Sequence, residues 1–281
     1  MTTQDPHSFS VVGTSADSNA DRMMQMILGF WVSQIVHAVA KYSIADELAN
    51  GPATAAQIAE RRSTHPGATF RLLRACAALG LVTADAELRF ASTDTLAKLR
   101  RDGPGSLRGF ALSHGAPGFW LLWGRLIDAV RTGERQTVAA LGKELWEYYA
   151  SATAESEALT DTMNTMTEIV ARDAIQLIDT TTTSVAVDVG GAGGALLHAL
   201  MEANSKLHGV LFDLPDVVAR ADVNARWRAL GNRISAVGGD FFESIPEADL
   251  YLLKWILHDW DDAASVRILK NCSSRLRKNS V

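Results

Sequence analysis

Cysteine is scarce in this chain: two residues in 281, Cys76 and Cys272, neither in a C-x-x-C pair. That excludes a disulfide framework and a cysteine-based zinc site, and both thiols, set in apolar helical stretches, read as buried groups of a reducing compartment. Basic charge is not in excess either. With 27 Lys and Arg against 32 Asp and Glu, the net charge is −5, the opposite of what a chain that coats phosphate backbones carries. The first twenty residues lack the basic and apolar blocks of a secretory signal. No segment offers the ~20 clean apolar residues of a membrane helix. The most apolar one, 23–40, is interrupted by Gln25, Ser33, Gln34 and His37 and reads as a buried or partner-facing helix. These absences predict a cytoplasmic protein without nucleic-acid or membrane partners. What is present is globular in kind, 47% hydrophobic and 21% charged, long enough for one large or two ordinary domains.

From residue 21 to about 99 the signals are helical. Residues 44–48, 55–61 and 67–79 follow one another closely, and Thr54 with Gln57 three positions on forms a capping box for the second. After Gly80 the run LVTADAELRFAST alternates around a polar turn, which predicts a hairpin. Three helices and a hairpin form a winged-helix outline. The helix that would enter a DNA groove, HPGATFRLLRACAALG, presents Arg71 and Arg74 but otherwise Leu, Ala and Cys, so it reads as core rather than as a reader of bases. Residues 103–179 are again helical and hold Phe119, Trp120, Trp123, Trp146, Tyr148 and Tyr149. Most of these predict packing, and a minority, with Met163 and Met166, a wall for a flat apolar ligand.

From Ser184 the rhythm becomes strand and helix in alternation. Strands are predicted at 185–189, 207–212, 234–237 and 250–253, and helices at 195–203, 217–230 and 262–277. Continuous apolar strands joined by helices mean a parallel sheet covered on both faces, an α/β Rossmann-like domain. The first strand breaks into VGGAGG. A dinucleotide fingerprint starting at Gly191 needs Gly or Ala at 196, where Leu196 stands, and one starting at Gly190 fails at Ala192. What is present is D-x-G-x-x-x-G from Asp188 to Gly194, with a second carboxylate, Asp213, ending the next apolar run. Glycines there let backbone approach a ligand, Asp188 can order the loop, and Asp213 can hold a ribose. After the third strand, Asp240 and Phe241 suit an adenine ring, or are an ordinary turn followed by core phenylalanines.

VDVGGAGGALL, FDLPDVV, GGDFFESIP, YLLKWILHDWDD and ILKNC, in this order and spacing, resemble the S-adenosylmethionine-dependent small-molecule O-methyltransferase family. The likeness runs from about 185 to 272, and the winged-helix-like N-terminal part is similar to that family's dimerisation domain. It implies a Rossmann-like methyltransferase domain preceded by a mainly helical dimerisation domain. The implied division is a tail at 1–20, the dimerisation domain at 21–102, a helical linker and acceptor region at 103–183 and the cofactor domain at 184–281. It further implies S-adenosylmethionine as cofactor, held by Gly190 and Gly191 at its methionine part, Asp213 at the ribose, Asp240 with Phe241 at the adenine, and Lys254 at another contact. Met163 corresponds to the position that packs on the acceptor's ring. His258 corresponds to the general base, and no metal is implied. The partners implied are a small hydroxyl acceptor of aromatic or polyketide-like kind and a second copy of the chain.

The chemistry suits His258. An acceptor hydroxyl becomes a strong nucleophile when its proton leaves, and histidine as a residue type titrates near neutrality, at ~6.5. Holding oxygen, methyl carbon and sulfur nearly in line supplies the remainder by positioning. Two departures stand out. Ala192 replaces the middle glycine of the family's loop. The 281 residues also stop before the fifth strand, which in the family supplies the carboxylate that orients the base, so a truncated or incomplete enzyme is expected, its fourth strand left as an apolar edge. The alternatives are a homologue that binds cofactor or ligand without transferring methyl, and a winged-helix regulator.

Overall fold

The computed structural model describes residues 18–221 and 225–277. It forms two compact units, Met1–Thr162 and Met163–Val281. Of the tail expected at 1–20, residues 1–17 lie outside the described residues, and 18–20 begin the first helix.

The first unit opens with the helix Ser18–Lys41, of which Val39 and Ala40 are buried while Met23, Met24, Met26, Ile27, Phe30 and Trp31 are exposed. Among the described residues it is the one helix long and apolar enough to cross a membrane by length and composition, properties that core helices and signal sequences share. Helices Ile44–Leu48, Ala55–Arg62 and Pro66–Ala78 follow, then the hairpin of β2 (Val82–Ala84) and β3 (Arg89–Ser92), with β1 (Ala53–Thr54) on the other side of β3. That is the three-helix and hairpin order read from the sequence. Val39, Ile44, Ile58, Leu73, Cys76, Phe90 and Leu96 close the core between them.

Local chemistry explains the boundaries. The Thr54 hydroxyl accepts the Gln57 amide at 3.3 Å while the Gln57 side chain accepts the Thr54 amide at 2.9 Å, so two otherwise orphaned donors are satisfied. Thr54→Ala should therefore cost about 1 kcal/mol. Thermal denaturation should show the midpoint fall by about 2–4 °C, and an unchanged midpoint would remove the cap from the list of stabilising contacts. In the hairpin, Asp85 Oδ1 accepts the amides of Glu87 and Arg89 at 3.1 and 2.8 Å and closes the turn.

Short helices between Arg108 and Ser151 lead to the long helix Thr153–Leu177, which begins in the first unit and ends in the second. The aromatics of this region divide: Tyr149 is buried and His114 stacks between Phe110 and Phe119, whereas Trp123 is exposed.

The second unit holds β4 (Val185–Val189), β5 (His208–Asp213), β6 (Ile234–Gly238) and β7 (Leu250–Leu252), all parallel, in the order β6-β5-β4-β7. Leu196, Leu197, Leu200 and Met201 bury one face of helix Ala195–Ala203 against this sheet, the spacing of an amphipathic helix. The strand ends shift by one residue, and two helices differ more from the sequence reading. The helix expected at 217–230 is seen as Pro215–Ala221 and Ala225–Leu230, with 222–224 outside the described residues. The last helix, Asp262–Ser274, ends three residues early, and 275–277 turn to bridge Ala248 just before β7. Ala248 donates to the Arg275 carbonyl at 3.3 Å and accepts from the Arg277 amide at 3.0 Å, while β7 itself stands at the edge of the described sheet, as expected.

Candidate active site

The strand order reverses between β4 and β7: the chain runs outward through β5 and β6, then returns to the far side of β4. In open parallel sheets the crevice outside the carboxyl ends at such a reversal is where ligands bind, because the loops there diverge to opposite faces. The loops that flank it here are the glycine loop after β4 and the segment ending in His258 after β7.

The two loops touch. Gly190 has a left-handed φ of +65°, and a Cβ on it would run into the Ile256 side chain, so both conformation and space require glycine. Gly191 is constrained differently, since a Cβ there would lie 2.6 Å from the Asp188 carboxyl carbon. Ala192 follows with φ +51°, a conformation that costs an L-residue about 1–2 kcal/mol. The hydrogen bond from its amide to Asp213 Oδ2 at 2.8 Å holds it there. Asp213 Oδ1 accepts the Leu214 amide at 2.7 Å, so this one carboxylate ties the end of β5 to the glycine loop.

Beneath the loop Asp188 is fully buried, and its carboxyl is pushed up to about 7, first by burial and then by the Asp213 charge. The Leu197 amide and the Lys254 ammonium pull it down by less. Lys254 is in turn held below the ordinary lysine range by burial, which the Asp188 charge opposes. Its ammonium lies 5.0 Å from the centre of the Trp255 ring. Trp255 itself has φ +61°, an outlier for a bulky residue of the kind that concentrates at functional sites.

His258 sits in the short helix Leu257–Asp259 with its side chain 58% exposed, its ring 5.5 Å edge-on from Trp255. Nε2 is 3.3 Å from Asp259 Oδ1. Burial raises the Asp259 carboxyl and the neighbouring histidine lowers it. Leu253, Trp255, Ile256, Leu257 and His258 line a depression of about 360 Å³, within the range of small-molecule sites.

The remaining expected residues fall around this centre. Asp240 is exposed at the end of β6 and its Oδ1 accepts the Phe242 amide at 2.8 Å. Phe241 is half-buried and packs edge-on against Trp260 at 5.8 Å, so both the turn and the core roles weighed from the sequence are present. Met163 is half-buried on the long helix, where its carbonyl accepts the Thr167 hydroxyl at 2.6 Å. The structure thus ties Asp213 to the glycine loop, seats Ile256 of the His258 segment on Gly190 and sets Lys254 to act on Asp188, with Asp240 and Phe241 one strand further along the same edge. Sequence reasoning missed Asp259 as the carboxylate beside His258, although the His-Asp pairing in HDW is a local signal. It also missed Trp255, whose left-handed backbone has none.

The chain is similar to known proteins over most of its length. Residues 24–99 match an O-methyltransferase dimerisation domain and residues 123–280 an O-methyltransferase domain. A phenazine O-methyltransferase of Lysobacter antibioticus is 32% identical over 251 residues, covering 89% of this chain and 73% of that one. The mitomycin biosynthesis 6-O-methyltransferase of Streptomyces lavendulae is 32% identical over 271 residues, covering 95% and 78%. Among solved structures, human N-acetylserotonin methyltransferase in complex with SAM superimposes with a TM-score of 0.84 at 26% identity, covering 96% of this chain and 80% of that one.

Proposed function

The chain belongs to the S-adenosylmethionine-dependent O-methyltransferases of the secondary-metabolite type, and from that premise we propose that it binds S-adenosylmethionine at the β4–β7 reversal and methylates a hydroxyl of a small aromatic metabolite with His258 as general base. The observation that carries this reading is the convergence of the glycine loop, the Asp213 carboxylate and the His258 segment on one crevice. The residues present suit the cofactor. Carboxylates close successive strands at Asp213 and Asp240, acceptor-only groups matched to a ribose diol and an exocyclic amine. Gly190 and Gly191 keep the loop backbone bare of side chains.

Bound there, S-adenosylmethionine would supply an electrophilic sulfonium methyl. The chain's own groups do the rest. His258 takes the proton from the acceptor hydroxyl. With Asp259 accepting from Nε2–H, the lone pair is left on Nδ1, and the same carboxylate stabilises the imidazolium that forms. Exposed and half-buried apolar side chains of the depression, Trp255 and Leu257 among them, exclude water from one side of the acceptor. The phenazine and mitomycin names of the relatives support an aromatic or polyketide-like acceptor. The dimerisation domain supports a homodimer formed through the apolar N-terminal helix.

Calorimetric titration with S-adenosylhomocysteine, followed by transfer of labelled methyl to a panel of phenols, tests the reading. Binding with transfer to at least one phenol supports it, and an absence of binding refutes it. Asp213→Ala should weaken S-adenosylhomocysteine by about 10- to 100-fold, the worth of hydrogen bonds to a charged acceptor. Unchanged affinity in that variant would move the ribose elsewhere.

A further inference from the structure

The third loop glycine, Gly193, has no conformational reason to be glycine, since its φ is not among the positive ones. Its reason is a neighbour. A Cβ on Gly193 would lie 2.5 Å from Oδ1 and 2.7 Å from Cγ of Asn164, separations that real Cβ contacts do not show. On the other side the Gly193 carbonyl accepts the Trp227 indole N–H at 3.4 Å. The peptide is therefore pinned between an indole and an amide, and the loop cannot retreat from Asn164.

Asn164 is unusual in its own setting. It lies inside the helix Thr153–Leu177, where asparagine is a poor helix former. It is half-buried. Its side chain offers two donors and a carbonyl acceptor, and its amide makes no hydrogen bond among the described residues. The amide keeps access to solvent beside the glycine loop, so its donors and its acceptor are available to a ligand seated there.

We propose that Asn164 binds the amino-acid end of the cofactor, donating to its carboxylate and accepting from its ammonium, and that Gly193 is glycine to admit this side chain. The assignment rests on the cofactor reading above. It singles out the amino-acid end because Asn164 meets the glycine loop, whereas the carboxylates suited to ribose and adenine stand at the ends of β5 and β6.

The test compares two probes by calorimetry on the full chain: S-adenosylhomocysteine, and 5′-methylthioadenosine, which lacks the amino-acid end. Asn164→Ala should weaken S-adenosylhomocysteine by about tenfold or more and leave 5′-methylthioadenosine unchanged. Gly193→Ala should reproduce that selective loss by displacing Asn164. The double variant should be no worse than either single one, the non-additivity of a shared contact. Equal loss for both probes, or no loss for S-adenosylhomocysteine, overturns the proposal. If the unmodified protein binds neither probe, the cofactor reading itself fails and takes this assignment with it. Circular dichroism and thermal midpoints of the variants separate misfolding from lost contact: a folded Asn164→Ala protein with undiminished selectivity is a refutation.

Discussion

Replacing His258 by alanine should lower the rate of methyl transfer by about 10²- to 10⁴-fold, the contribution of a positioned general base. The affinity for S-adenosylhomocysteine and the thermal midpoint should stay the same. The separation is expected because the side chain is 58% exposed and belongs to no core cluster, so its removal opens no cavity. What alanine removes is the proton acceptor. Asp259 then loses the histidine that lowers its carboxyl and gains nothing that could take the proton from a phenol. Steady-state assays with S-adenosylmethionine in excess, alongside calorimetry, check both halves. A His258→Ala protein with full activity would assign the proton to solvent or to another group.

Neutralising Asp188 should stabilise the second unit at neutral and alkaline pH. Its carboxyl is raised from the ordinary 3.8 to about 7, so between those values the folded chain holds a proton that the unfolded chain releases. The contribution is thus fully present below about 4, declines as pH rises, and is lost above about 7. The difference corresponds to about 4 kcal/mol at high pH, a large part of ordinary domain stability. Asp188→Asn keeps an acceptor for the Leu197 amide and carries no charge at any pH. It should match the parent near pH 4 and exceed it increasingly up to pH 8, less whatever Lys254 loses with its counter-charge. Asp213 and Lys254 are the charged groups that act on this carboxyl. Denaturant unfolding at pH 5 and pH 8 measures the gain, and a pH-independent difference between the two proteins would mean that Asp188 is already charged in the fold.

Much of this site is legible in the residues because its causes are local. The Thr54 capping box needs only side chains three positions apart, and it is found as read. The bare backbone at Gly190 follows from a strand that must turn left-handed at once. The Asp188 carboxyl illustrates the opposite case. Sequence places it at a strand end and suggests that it orders the loop, but its raised titration depends on burial and on the charge of Asp213 at the end of β5, opposed by Lys254 just past β7. The same holds for Gly193, whose need for glycine comes from Asn164, 29 positions earlier in the chain.

By itself the sequence determined the order of helices and strands, the parallel sheet, the glycine loop and the residue types able to meet a nucleoside. Those follow from periodicity, capping and glycine, which act over a few residues. Only the tertiary structure decided that β7 lies beside β4 rather than beyond β6. That choice seats Ile256, two residues before His258, on Gly190. It is a long-range outcome of which apolar faces bury against which, and no local pattern encodes it.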